Sequence, residues 1–272
     1  MIKAMFFDLD GTLLNSSKEV SPTTRKTLER CAQSGIKLYI ATARPPLLGK
    51  MLSWDDGLLS LFDGGVFYNG GCVVLGGKKT YTAVSDDIVK AAMEYAMQYD
   101  GLNISLQLEH DRQAFRFPLK PSSYQPWGMC ASEALTLAQA TGLQTVKLVV
   151  FYSDLIDSTT PLDGQLVQNL EKLCADKAQF YLTDRGQLVQ IMAKDINKLS
   201  GIEKIRTALG LEKNEIAVFG DDVNDIEMLS AYENSIAMGN ADDFVKNVAK
   251  HVTLDNDSDG IHHAICNILS LT

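Results

Sequence analysis

The sequence predicts an α/β protein: a parallel β-sheet covered by helices on both faces, interrupted by an inserted α+β module. Three observations carry this reading. Short β-rich apolar runs ("AMFF", "IKLYIAT", "EIAVFG", "SIAMG") alternate with helical patterns in the first and last thirds of the chain, and such alternation implies a parallel sheet with both faces covered. "EIAVFG" is continuously apolar, as a strand buried on both faces must be. The middle third breaks the pattern, because "ISLQLE" and "QAFRF" flank the polar turn "HDR" and so read as an antiparallel pair.

The elements follow in order. After the strand "AMFF", the stretch "SPTTRKTLERCAQSG" offers Ser21 as N-cap, Pro22 at the first helical position and Gly35 as terminator, the usual punctuation of a helix. "IKLYIAT" is the next strand, and "PPLLGKMLSW" is expected to hold a short helix. "GGVFYNG" follows, and Gly76 and Gly77 in "CVVLGGKKTYTAV" sit between two β-like arms as in a hairpin. A capped helix begins at Ser85, and Pro118, Pro121 and Pro126 make "KPSSYQPWG" a loop. Then come a helix near "ASEALTLAQAT", the strand "VKLVVFY", a helix near "LVQNLEKLCAD", and the strands "AQFYL" and "QLVQIM". "INKLSGIEKIRTALGL" is an amphipathic helix ended by Gly210; "EIAVFG", helix "NDIEMLSAY", strand "SIAMG", helix "DDFVKNVAK", strand "HVTL" and helix "GIHHAICNIL" complete the alternation. The expected domains are a core formed by residues 1–83 and 186–272 and an inserted module at 84–185.

Composition narrows the function classes. A chain of 272 residues, 46% hydrophobic and 22% charged, suits a soluble globular protein with a sizeable core. Its net charge of −9 argues against nucleic acid or an anionic membrane as partner, since both need clustered Lys and Arg. The five cysteines are scattered, odd in number and never in a C-x-x-C pair, which suggests neither a disulfide framework nor a zinc site and points to the cytoplasm. Asp8 and Asp10 interrupt the one early apolar run, so no signal peptide is expected, nor is any apolar stretch long enough to span a bilayer. The sequence is silent on oligomeric state.

In an open parallel sheet, ligands bind outside the carboxyl ends of the strands, so the informative residues follow each apolar run. "AMFF" leads to Asp8, Leu9 and Asp10; "KLYIA" to Thr42, Ala43 and Arg44; "IAVFG" to Asp221, Asp222, Asn224 and Asp225. Any one cluster alone reads better as a helix cap. Together they place several carboxylates on one rim, where they repel one another and raise each other's pKa. A cation removes that cost, and oxygen-only ligands favour a hard ion such as Mg²⁺, which commonly takes one or two carboxylates plus a substrate phosphate. A carboxylate can then attack phosphorus. Asp8 fits as nucleophile, and Asp10, on the same side two residues on, fits as the group that protonates the leaving oxygen and later deprotonates water.

"DLDGTLL" resembles the first motif, D-x-D-G-T, of the haloacid dehalogenase (HAD) superfamily, and "GDDVNDIEML" resembles its G-D-x-x-N-D fourth motif. "ATAR" falls at the second-motif position, Lys198 in "INKLSGI" at the third, and "HVTLDNDSDGIHHAI" resembles the C-terminal stretch of the Cof-type branch. The likeness implies a Rossmann-like core and, in the middle module, the α/β cap called C2B. It also implies roles: Asp8 as phosphorylated nucleophile and ligand of Mg²⁺, Asp10 as acid/base touching the metal through its backbone carbonyl, Asp221 as the further metal ligand, and Asp225 as support behind them. Thr42, Ala43, Arg44, Lys198 and Asn224 would meet the substrate's phosphoryl group, Lys198 as a point charge, while Asn224 could instead reach a metal-bound water and Arg44 could equally brace its loop. Ala43 and Leu199 stand where the family usually carries Gly, and neither change removes a chemical group. The implied activity is a Mg²⁺-dependent phosphatase acting on a small phosphorylated metabolite. A phosphomutase or phosphotransferase on the same core, and a non-catalytic ligand-binding protein, remain alternatives. Asp255, Asn256, Asp257 and Asp259 lack the distal Glu of a calcium loop and read as a polar turn.

Overall fold

The computed structural model describes residues 1–153 and 160–271. Along the chain it places β1 (Ala4–Phe7), α1 (Pro22–Gln33), β2 (Lys37–Ala41), the short helices α2 (Leu48–Met51) and α3 (Asp56–Leu59), β3 (Gly64–Phe67), β4 (Cys72–Leu75) and β5 (Lys78–Tyr81). The middle of the chain holds α4 (Asp86–Ala96), β6 (Leu102–Leu108), β7 (Gln113–Phe115), β8 (Leu135–Thr136), β9 (Thr145–Tyr152), α5 (Gly164–Cys174), β10 (Ala178–Thr183) and β11 (Leu188–Ala193). It ends with α6 (Lys198–Leu209), β12 (Ile216–Gly220), α7 (Ile226–Ala231), β13 (Asn234–Ala237), α8 (Asp243–Lys246), β14 (His251–Val252) and α9 (Gly260–His263). Contacts divide the chain into two compact units: Met1–Ala43 with Leu52–Thr80 and Lys198–Thr272, and Arg44–Met51 with Tyr81–Asn197.

The first unit is built on an eight-stranded sheet in the order β14-β13-β12-β1-β2-β3-β4-β5. The pairs from β14 to β3 are parallel, and β4 turns back antiparallel on β3. This is the α/β class that the alternation of runs implied. The central strand β1 is pinned on each side by an aromatic pair at register positions: Phe6 stacks on Tyr39 at 4.9 Å and Phe7 on Phe219 at 4.8 Å. Successive residues point to opposite faces, so the two pairs lock β1 from above and below. Helix α1 starts as the punctuation required: the Ser21 hydroxyl accepts from the Thr24 N–H, Pro22 occupies the first turn, and Gly35 closes at φ +83°. Gly76 and Gly77, both at positive φ, form the tight turn between β4 and β5.

The second unit carries a six-stranded sheet in the order β10-β11-β9-β6-β7-β8. One face buries Leu102, Ile104, Leu106, Leu148, Val150 and Ile191 beneath α4 and α5. Two sequence expectations change here. The boundary at 185 cuts a real strand pair: β11 runs antiparallel to both β10 and β9, so this strand belongs to the inserted unit rather than to the 186–272 part of the core. The helix expected near "ASEALTLAQAT" does not form. A 3₁₀ turn at Ala131–Glu133 and the strand β8 stand there instead. The side chains of Glu133, which accepts from the Cys130 N–H, and of Gln139, which accepts from the Thr136 N–H, satisfy backbone donors locally and compete with the helical ladder.

Helix α6 brings Lys198 into the first unit and packs along β3 through Gly201, where an added Cβ would run into the Val66 side chain. Gly201→Ala is therefore expected to destabilise the protein by about 1–3 kcal/mol, as overpacking does. It should lower the midpoint of urea unfolding without changing its slope, and a midpoint equal to the wild type would refute the close-packing account.

Candidate active site

The carboxyl ends of β1, β2, β3, β12 and β13 form one rim of the first unit. Asp8 extends β1 by one ladder bond, its N–H donating to Phe219 O at 3.0 Å. The chain then reverses: the Thr12 and Leu14 N–H groups both return to Leu9 O, and Leu13 N–H returns to Asp8 O. Gly11 makes this reversal possible at φ +82°, and a Cβ there would fall on the Asp221 carboxylate. Glycine at this position thus serves both the turn and the close approach of β12's acid.

Lys198 lies at the centre. Its ammonium donates to Asp8 Oδ1 at 2.6 Å and to Asp225 Oδ1 at 2.7 Å, and the whole residue is 0% exposed. Burial opposes its charge, but Asp225 and Asp8 outweigh that and push the Lys198 pKa above its ordinary value. Asp225, also fully buried, spends its other oxygen on the backbone N–H groups of Asp221 and Asp222, at 3.0 and 3.2 Å. A Cβ on Gly220 would sit 2.5 Å from the Asp225 carboxyl carbon, so this strand end is shaped around that carboxylate.

Among the described residues, no cation is bonded to Asp221. Thr12 Oγ1 donates to its Oδ1 at 2.6 Å, and Asn240 Nδ2 reaches its Oδ2 at 3.4 Å while bonding Gly11 O at 2.9 Å. Burial, with the charges of Asp8 and Asp225 adding to it, pushes the Asp221 pKa up to about 9 despite the Thr12 bond. Burial likewise raises Asp8 to about 7 against the pull of Lys198. Oxygens of Asp8, Asp221 and Asp225 lie within 4.8 Å of one another, the one such acidic cluster among the described residues. Because Asp225 is committed to Lys198 and to two backbone donors, Asp8 and Asp221 are the pair able to hold an ion. Oxygen donors, two carboxylates and uncompensated burial suit a hard divalent cation such as Mg²⁺.

The remaining expected residues take these places. Thr42 and Ala43 follow β2, Thr42 being buried with its N–H on Val66 O at 2.8 Å. Asn224 is buried and donates through Nδ2 to Asn69 Oδ1 at 3.0 Å. Asp10 is half-exposed, and its Oδ1 accepts from Lys18 Nζ at 2.8 Å. Arg44 opens the segment Arg44–Met51, which groups with the inserted unit. Thr12, Lys18, Asn69 and Asn240 were not singled out from sequence. Asn69 and Asn240 follow the apolar runs of β3 and β13, so the rule that ligand-binding residues follow strands would have found both.

Taken together, the first unit is a parallel α/β core with an acid-rich rim and a buried lysine at its centre. The chain belongs to the haloacid dehalogenase-like hydrolase family, whose model matches residues 5–265. It is similar to an Arabidopsis thaliana protein named "Endoribonuclease YBEY, chloroplastic", 27% identical over 271 residues, of which 96% of this chain covers 45%. It is similar as well to the 5-amino-6-(5-phospho-D-ribitylamino)uracil phosphatase YitU of Bacillus subtilis (strain 168), 25% identical over 270 residues and covering 97% of this chain and 96% of that one. Its fold matches that of a solved sugar phosphatase of HAD subclass IIB with a TM-score of 0.80, at 24% identity and over 98% of both chains. Among the described residues, no helix is long and apolar enough to cross a membrane.

The raised carboxyls set a pH dependence. In the folded protein without divalent cation, Asp8 and Asp221 hold protons up to about pH 7 and about pH 9, whereas their ordinary value is 3.8. Their contribution to stability is thus fully present below about pH 4 and is lost as pH rises through those folded values. In EDTA the Tm should fall between about pH 4 and about pH 9, and Asp221→Asn should flatten the upper part of that fall. An identical slope in the variant would contradict the assignment.

Proposed function

We propose that the protein is a Mg²⁺-dependent phosphatase that hydrolyses a small phosphomonoester through an aspartyl phosphate on Asp8. The observation that carries this reading is the pairing of a buried, lysine-bound Asp8 with a second carboxylate, Asp221, to which no cation among the described residues is bonded. Membership of the hydrolase family and the likeness to a phosphatase acting on a phosphorylated ribityl compound support the substrate class.

Asp8 and Asp221 would hold the Mg²⁺, which would supply the positive charge that lets a carboxylate approach a phosphate. Lys198 holds one Asp8 oxygen in place and adds positive charge where the phosphoryl group arrives. Asp8 attacks phosphorus as the bond to the ester oxygen breaks, and Asp10 gives that oxygen its proton. Asp10 then takes a proton from water, which attacks the same phosphorus and returns Asp8 as a free carboxylate with release of inorganic phosphate. Thr42 and Asn224 orient the phosphoryl oxygens. Asp225 keeps Lys198 charged and the β12 turn closed, supporting the site without touching the substrate.

The test is phosphate release from a panel of sugar phosphates, nucleotides and p-nitrophenyl phosphate, with and without Mg²⁺. Release that depends on added Mg²⁺ is expected, and none from any member of the panel would sink the proposal. Asp8→Asn should lower turnover by at least about 10³-fold, as loss of a nucleophile does, with the fold intact by circular dichroism. Retained turnover would remove Asp8 as nucleophile.

A further inference from the structure

Helix α1 and the end of the chain meet in a row of side-chain contacts. The Ser21 hydroxyl donates to the Asp259 carboxylate, to which Thr24 Oγ1 also donates at 3.4 Å, and Thr27 Oγ1 lies 2.8 Å from His262 Nδ1. Residue numbers rise together on the two sides, so α1 and α9 run in the same direction. Residues four apart share a helix face, and the next position on that face of α1 is Cys31. Opposite it, α9 continues into a wider π turn at Ala264–Ile268 that keeps Cys266 over His262, the Cys266 sulfur being 3.6 Å from His262 Nδ1. Cys31 and Cys266 are both free thiols, and they line one cavity of about 360 Å³ in the first unit, with Ile2, Arg30, Ser34 and Leu271 around them.

The two thiols are not equivalent. Cys31 is buried, and burial, with the neighbouring Cys266 charge adding to it, pushes its thiol up to about 11. Cys266 is half-buried. The Thr27 hydroxyl has one proton and gives it to Thr23 O at 3.1 Å, so towards His262 its oxygen accepts and Nδ1 carries the hydrogen. That N–H also faces the Cys266 sulfur and favours its thiolate, the form that attacks oxidants.

We propose that Cys31 and Cys266 are a thiol pair that hydrogen peroxide, entering the cavity, converts into a disulfide between α1 and the end of the chain. The Cys266 sulfur attacks one peroxide oxygen and the O–O bond breaks; the sulfur keeps one OH as a sulfenic acid, and the other OH leaves as water with the thiol proton. The Cys31 sulfur then attacks the Cys266 sulfur, the S–S bond forms as the S–O bond breaks, and the OH leaves as a second water with the Cys31 proton. Two thiols are oxidised by two electrons, and the peroxide is reduced to two waters. The bond reinforces a contact already made, since Asp257 and Asp259 hold Ser16 and Ser21 on the loop between β1 and α1.

The experiment treats the full chain with hydrogen peroxide, alkylates the remaining thiols and maps the peptides by mass spectrometry without reductant. The Cys31 and Cys266 peptides are expected joined, lighter than their sum by the two hydrogens lost, in protein that still runs as a single chain and is separated again by dithiothreitol. The Tm should be higher in the oxidised protein, because a bond that the native geometry accepts restricts the unfolded chain. The order of the steps is read with dimedone, which traps sulfenic acid: Cys31→Ser should carry the adduct on Cys266, and Cys266→Ser should carry none on Cys31. Recovery of Cys31 and Cys266 as two alkylated thiols overturns the proposal, as does a joined protein with a lower Tm or an adduct on Cys31 in place of Cys266. No step uses the acidic rim, so these outcomes leave the phosphatase reading untouched.

Discussion

The site depends on one buried cation shared by two carboxylates. Lys198, entirely buried, sits within hydrogen-bond distance of Asp8 and Asp225, and none of the three charges could be buried alone without a cost of several kcal/mol. The arrangement fixes much else. It ties β1 to the first residue of α6 and both to the turn after β12. Through the second oxygen of Asp225 it also sets the path of the backbone at Asp221 and Asp222. Glycine at 220 follows from the same constraint, because the Asp225 carboxylate occupies the volume a side chain would need.

What the lysine leaves uncompensated sets the electrostatics of the rim. One cation faces Asp8 and Asp225, while among the described residues the side chains that bond the Asp221 carboxylate are the Thr12 hydroxyl and the Asn240 amide. That imbalance raises the affinity of Asp8 and Asp221 for a proton and, by the same electrostatics, for a divalent ion.

The sequence made the acids legible and their hydrogen-bond partners mostly not. Asp8, Asp221 and Asp225 each follow an apolar run that ends at the same edge of a parallel sheet, and that pattern needs no coordinates. Lys198 was legible only through resemblance, since a lysine at the head of an amphipathic helix looks like any solvated residue. Thr12 and Asn240 matter because of groups that meet across the fold, Thr12 and Asp221 being 209 positions apart. The misplaced boundary at 185 has a similar cause. "QLVQIM" reads as a strand in either sheet, and only its pairing with β9 and β10 says which one it joins. The missing helix at 131–141 shows local side-chain capping overriding a helical pattern.

The position of β1 also bears on how the chain is made. It is central in its sheet, yet one of its two neighbours, β12, begins only at Ile216. During synthesis β1 emerges early and can pair with β2, but its other edge stays open while the inserted unit and α6 are translated. An open, fully apolar strand edge is a template for pairing with the wrong chain. The inserted unit has its own sheet and its own apolar core, so it can fold during that wait and keep its strands from that edge. The acids of the rim, on this ordering, come together last.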